Sequence, residues 1–169
     1  MSLVIAASYN GKACIGGDSG GFNSSNGNFD VVKHPKKVHR INGVLYGLVG
    51  SWEYIQIIKE ISASSRSGGG YSMDKVLDLY EEKKEGRDIS CLAVDDNHIS
   101  KIYDPRVPRV VDVDFCAIGA GSDWAEGYMH AKRSQVVDPK RLVLETFEHA
   151  RSYNLFSKPP IRTLTKTYG

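Results

Sequence analysis

The chain opens with two apolar runs separated by a polar pair. Ser2-Leu-Val-Ile-Ala-Ala-Ser-Tyr9 and Lys12-Ala-Cys-Ile-Gly-Gly17 flank Asn10-Gly11. Asn-Gly tolerates the positive φ angles of a tight turn, so the stretch predicts a β-hairpin. The hairpin ends at Gly16-Gly17-Asp18, and residues 19–30, rich in Gly, Asn and Ser, read as an irregular loop. Val38 and Ile41 anchor a short strand in a basic stretch. Asn42-Gly43 repeats the turn signal, and Val44 to Val49 forms a further apolar strand. Gly50-Ser51 opens a helix with Trp52, Ile55, Ile58 and Ile61 on one face. Residues 62–70 are Ser/Gly-rich and read as a loop. Ser72 is the N-cap of a second helix, marked by Met73, Val76, Leu77 and Tyr80.

The second half adds further strands and helices, with no internal repeat. Ser90 to Val94 and Ile99 to Tyr103 flank Asp95-Asp-Asn-His98 as another hairpin, and Pro105 and Pro108 make the next stretch a poor central strand. Phe115 to Ile118 is a buried strand ending at Gly119-Ala-Gly121. A third helix then places Trp124, Tyr128 and Ala131 on one side. Asp138 caps a fourth, with Pro139 in its first turn and Leu144, Phe147 and Ala150 inward. Ile161 to Tyr168 closes the chain as a strand. Hairpins and helix pairs in this order do not make parallel βαβ units. They predict an α+β fold: a four-layer αββα sandwich, two antiparallel sheets face to face with helices outside each, as one domain over residues 1–169.

Composition narrows the function. A chain of 169 residues can bury a sizeable core. Its 22 Lys+Arg against 20 Asp+Glu give no drive towards nucleic acid. No run approaches the roughly 20 apolar residues of a membrane span, and no basic-then-apolar leader opens the chain, so a cytoplasmic protein is expected. Cys14, Cys91 and Cys116 are odd in number and each sits in an apolar run, which predicts buried free thiols. His34, His39, His98, His130 and His149 show no ligand spacing, so no metal or other cofactor is expected.

Gly17-Asp18-Ser19-Gly20-Gly21 spells the surroundings of a trypsin-like nucleophile, but no histidine precedes Ser19, so the required triad order is missing. The better candidate is Ser2. With Met1 removed, its hydroxyl would lie beside its own α-amine, whose ordinary pKa of about 7.7–8.0 leaves part of it free to act as base near neutral pH. A hairpin of this length returns Asp18 to the level of Ser2, and Lys37 begins the next apolar strand. A lysine charge there would lower the pKa of the amine and hydroxyl, and the aspartate would hold the lysine in place. Composition alone favours Asp18 as a turn residue and Lys37 as a solvated edge charge.

The set of motifs resembles the proteasome β subunits and their bacterial relative HslV, which are N-terminal-nucleophile hydrolases. The matching pieces are Ser2-Leu-Val-Ile-Ala, Asn10-Gly11, Gly16-Gly-Asp18, Lys37-Val-His-Arg-Ile41, Gly47-Leu-Val-Gly-Ser51, Ala117-Ile-Gly-Ala-Gly-Ser122 and Asn154-Leu-Phe-Ser157. The resemblance implies Ser2 as nucleophile in place of threonine, Asp18 and Lys37 as its charged partners, and the Gly50 N–H as oxyanion donor. It implies a substrate pocket at Gly21, Phe22, Leu48 and Trp52, with supporting positions at Ala120, Asn154 and Ser157. Ala120 stands where the family usually has serine, Asn154 where many members have aspartate, and Trp52 where a small residue is usual. The implied activity is a self-compartmentalised peptidase: a homo-oligomer of stacked rings acting on peptides or unfolded protein, with any ATP-driven unfoldase a separate partner and no nucleic acid or membrane involved. A catalytically degenerate ring subunit and a small-amide hydrolase of the same class are the alternatives.

Overall fold

The computed structural model describes residues 2–19, 22–23, 30–31, 36–41, 43–50, 89–95, 98–102, 109–111, 113–153 and 159–168. Strand β1 (Leu3–Tyr9) and strand β2 (Lys12–Gly17) form the expected hairpin, with Asn10 and Gly11 at φ 54° and 70°. Side chains alternate across a strand, so Leu3, Ile5, Ala7 and Tyr9 face one side of the sheet, and Val4 and Ala6 face the other. Both faces of β1 are buried. The short pieces β3 (Phe22–Asn23) and β4 (Asp30–Val31) pair with each other, placing a ribbon inside the stretch whose composition reads as irregular loop.

Then follow β5 (Val38–Ile41), β6 (Val44–Gly50), β7 (Ile89–Asp95), β8 (His98–Ile102), β9 (Arg109–Val111) and β10 (Phe115–Gly119). Two helices come next, α1 (Ser122–Lys132) and α2 (Pro139–Ser152), and β11 (Arg162–Thr167) closes the chain. One antiparallel sheet has the order β10-β1-β2-β11, and the other β5-β6-β7-β8-β9. The sheets lie face to face. Val4, Ala6, Ala13 and Ile15 of the first meet Val38, Leu45, Val49, Leu92, Val94 and Ile99 of the second. Gly47 marks their closest approach: a Cβ there would lie 2.3 Å from Val4 Cγ1 and 2.8 Å from Ile15 Cδ1.

Helices α1 and α2 cover the outer face of the first sheet. Leu142, Val143, Phe147, Ala125 and Met129 pack there on Leu3, Ile5, Ala7 and Cys14. Each of the Leu, Ile, Val, Phe and Met side chains there, fully buried, contributes roughly 1.5–3 kcal/mol. Two expected helix faces are rotated from prediction. Leu144 is 36% exposed, and α2 buries Leu142, Val143 and Thr146 beside Phe147 and Ala150. Thr146 is tolerated inside because its hydroxyl donates to the Leu142 carbonyl, 2.7 Å. Ala131 is likewise exposed, and α1 buries Ala125 and Met129. Trp124 and Tyr128 stay half-buried; Trp124 stacks on His149 at a ring separation of 4.4 Å, and Tyr128 lies tilted against the same ring at 4.2 Å. Asp138 does stand at the N-cap of α2, but its side chain makes no cap bond.

The outer face of the second sheet carries a third apolar cluster of Ile41, Tyr46, Leu48, Cys91 and Ala93. Gly50 ends β6, and the helices expected beyond it to residue 61 and over 72–84 lie outside the described residues, so the layer count rests on both sheets and the α1–α2 layer. Cys14, Cys91 and Cys116 are free and buried, as their apolar runs predict. Among the described residues, no helix is long and apolar enough to cross a membrane, and no cluster of His, Cys, Asp and Glu could hold a metal.

Candidate active site

Ser2 sits just before β1, the second strand in from the β10 edge of its sheet. Its backbone is held from two directions. The Ala120 N–H donates to the Ser2 carbonyl, 2.8 Å, and the next N–H along, that of Leu3, donates to Asp18 Oδ1, also 2.8 Å. Asp18 is the first residue past β2, and its own N–H donates to the Leu3 carbonyl, 3.2 Å. The hairpin therefore returns Asp18 to the start of β1, as its length predicts.

Lys37 approaches from the second sheet. Its ammonium nitrogen lies 2.5 Å from Asp18 Oδ1, and the two side chains are 4% and 0% exposed. Neither residue is the turn residue or solvated edge charge that composition alone allows. Burial pushes Lys37 below the ordinary lysine range, and the Asp18 carboxylate, by charge and by hydrogen bond, pulls it part of the way back. The Lys37 carbonyl accepts from the Leu48 N–H, 2.9 Å, which sets Leu48 beside Lys37 on the ladder, one step beyond the Val38–Gly47 pair. Leu48 itself is buried in the outer cluster with Tyr46 and Cys91.

Gly119, at φ 95°, brings the last strand element to Ser2. A Cβ at Gly119 would fall 2.1 Å from the Ser2 carbonyl oxygen and 3.1 Å from Val49 Cγ1. Ser2, the end of β10 and the end of β6 thus converge on one point. Gly50, the last residue of β6, follows Val49 with φ 131° and is exposed. Ala120 contributes its N–H to this point and has no hydroxyl to add. Phe22 lies in β3 opposite Val31. Gly21, Trp52, Asn154 and Ser157 lie outside the described residues.

Two supporting residues are not marked by the sequence as neighbours of Ser2. Gly119 was legible as half of a Gly-Ala-Gly turn, but its contact with Ser2 needs the β1–β10 pairing, in which Leu3 is opposite Gly119. Glu126, on α1, accepts from the Ala117 N–H at 2.9 Å and lies 3.3 Å from the Lys101 ammonium. It thereby pins β10 to α1 and to the second sheet two residues before Gly119. Nothing in the spacing of Lys101, Ala117 and Glu126 along the chain marks them as a set. Chemically, the assembled site offers a small hydroxyl residue at a strand start. The residue after it is gripped through its N–H by a buried carboxylate that also pairs with a buried cation.

No family model and no curated protein matches the sequence. Solved structures match it over nearly its whole length. BPH from Thiobacillus denitrificans, in complex with epoxomicin, superposes with a TM-score of 0.77 at 19% identity, covering 99% of both chains. Eukaryotic HslV from Trypanosoma brucei gives 0.75 at 16%, covering 98% of this chain and 99% of that one. Anbu, an ancestral β-subunit from Yersinia bercovieri, gives 0.71 at 12%, covering 98% and 81%. The fold expected from the sequence is the fold observed: this chain resembles BPH, HslV and Anbu in architecture.

Proposed function

We propose that the chain is a peptidase whose nucleophile is the hydroxyl of Ser2, exposed as the chain terminus by removal of Met1. The observation that carries this reading is the shared Asp18 carboxylate, which binds the Lys37 ammonium and the Leu3 N–H with the same oxygen. One anion thus fixes both a cation and the backbone adjoining Ser2.

The chemistry then follows. The freed α-amine of Ser2 takes the proton from its own hydroxyl as the oxygen attacks the scissile carbonyl. The Lys37 charge keeps that amine's pKa low, so the base is unprotonated near neutral pH. The Gly50 N–H meets the oxygen that gains negative charge, an interaction of a kind that lowers the barrier by about 2.7–4 kcal/mol. The C–N bond breaks, and the departing amine carries off the proton held by the α-amine. The ester on Ser2 is hydrolysed by water, and the hydroxyl is regenerated. Leu48 beside Lys37 favours apolar residues before the cut, and the family resemblance assigns Gly21, Phe22 and Trp52 to the same pocket. Such a nucleophile needs sequestering, which supports a homo-oligomer of stacked rings fed with unfolded protein by a separate ATP-driven unfoldase.

The intact mass of the native protein tests the first requirement. A mass short by one methionine, with epoxomicin adding covalently to the parent and not to Ser2→Ala, supports the reading. Retained Met1 would block the base and favour a ring subunit without chemistry, a role compatible with the missing hydroxyl at Ala120. Ser2→Ala should also reduce hydrolysis of apolar peptide amides to background, with assembly intact. Undiminished turnover sinks the assignment of Ser2.

A further inference from the structure

The Gly17-Asp18-Ser19-Gly20-Gly21 stretch contributes Asp18 to the chemistry above, but Ser19 has no part in it. Ser19 is nevertheless buried, 5% exposed, and its hydroxyl donates to the carbonyl of Pro160. The place of this bond in the sheet gives it meaning. Strand β2 lies between β1 and β11, and both ladders end at Gly17, opposite Val4 on one side and Arg162 on the other. On the β1 side the chain is held one residue further, by the Asp18 N–H on the Leu3 carbonyl. On the β11 side, continuing the register sets Ser19 level with Pro160, a residue with no N–H to offer a ladder. The Ser19 hydroxyl makes the link there instead, donating from side chain to backbone.

We propose that Ser19 is a positioning residue: by tying the exit of β2 to Pro160 it fixes Asp18 from the β11 side and holds its carboxylate between the Leu3 N–H and the Lys37 ammonium. Asp18 is then anchored on both flanks, through its own N–H towards β1 and through its neighbour's hydroxyl towards β11. Its side chain faces two donors with one oxygen, an arrangement that a small backbone shift would break. The effect on rate rests on the peptidase reading of Ser2; the effect on geometry does not.

Ser19→Thr and Ser19→Val test this as a pair, because the two side chains share a shape and differ in the hydroxyl. The first readout is the NMR titration of the Lys37 side chain, which needs no activity. In Ser19→Val the displaced carboxylate supports the buried ammonium less, so Lys37 titrates lower than in Ser19→Thr. Coincident titrations overturn the proposal. The second readout is kinetic. Ser19→Val loses kcat on the order of ten- to a hundredfold with KM unchanged, and Ser19→Thr keeps the parental kcat. Equal kcat in the two variants of an active parent also overturns the proposal. A parent with no turnover defeats the peptidase reading instead and leaves the titration to decide Ser19. Should Ser19→Val fail to fold, Ser19→Ala against the parent carries the same comparison without added bulk.

Discussion

The β1–β2 hairpin is held in opposite ways at its two ends. At the turn, Asn10 donates through its side-chain amide to the Val137 carbonyl, 3.1 Å, and the Tyr168 N–H donates to Gly11, 2.8 Å. The Tyr9 hydroxyl donates to the Val136 carbonyl, 3.1 Å, and the Arg133 guanidinium lies 3.6 Å over the Tyr9 ring while pairing with Asp114 at 2.6 Å. The Arg133–Asp114 pair stays partly in water. At the open end the corresponding work falls to Asp18 and Lys37, both out of water. Desolvating a charge costs several kcal/mol per ion, and a well-packed apolar pair of similar volume often serves stability as well or better. One end is therefore built as a stable hairpin is expected to be. The other keeps a costly charge pair beside Ser2, where stability alone would not put it.

The largest break in this contrast should come from Lys37→Ala. It strands the Asp18 carboxylate in the interior and should cost about 3–5 kcal/mol, read from urea unfolding, together with most of any hydrolytic rate. A fully active, equally stable variant would make Lys37 a bystander. Gly119→Ala should follow. It sets a side chain at φ 95° and drives a methyl into the Ser2 carbonyl, so a loss of more than about 1 kcal/mol is expected, with epoxomicin labelling impaired. Labelling at the parental rate would detach Gly119 from the site.

A pH series sharpens the comparison further. An unfolded lysine titrates near 10.4, and Lys37 in the fold titrates below its ordinary value. Between the two values the unfolded chain binds the proton more tightly, so stability rises with pH. What Lys37 contributes is fully present above about 10.4 and lost as pH falls through its folded value. The parent should therefore gain on Asp18→Asn/Lys37→Met as pH is raised from 7 towards 10, in urea midpoints measured side by side. A constant gap would mean that burial does not shift Lys37. The smallest effect belongs to the turn: Arg133→Ala should cost about 0.5–1 kcal/mol through the lost ring contact and leave kcat unchanged. A catalytic defect there would erase the distinction between the two ends.

These ends were unequally legible in the sequence. Asn10-Gly11 between two apolar runs announces the turn, and the unbroken apolar run from Leu3 to Ala7 is what a strand between two apolar layers requires. The open end is assembled from Ser2, Asp18, Lys37, Gly119 and Ala120, which meet through strand pairing. The hairpin length sets Asp18 level with Ser2, the family resemblance marks Ser2, Asp18, Lys37 and Ala120 as a set, and Gly119 joins them only through the β1–β10 pairing. Leu144 and Ala131 show that apolarity alone does not mark burial on these helices. The α2 face is completed by Thr146, whose hydroxyl is satisfied inside its own helix. The β3–β4 ribbon was hidden by its Gly-, Ser- and Asn-rich surroundings, which carry turn chemistry and little strand propensity.

The three cysteines fall one to each apolar layer. Cys14 lies under the helices, Cys116 between the sheets and Cys91 on the far side of the second sheet. Burial pushes each thiol up to about 12, so in the intact fold none supplies an appreciable amount of reactive thiolate. An alkylating reagent would then read as a stratigraphic clock. Each sulfur becomes available when its own layer parts, and the order in which the three are tagged would record the order in which the sandwich comes apart.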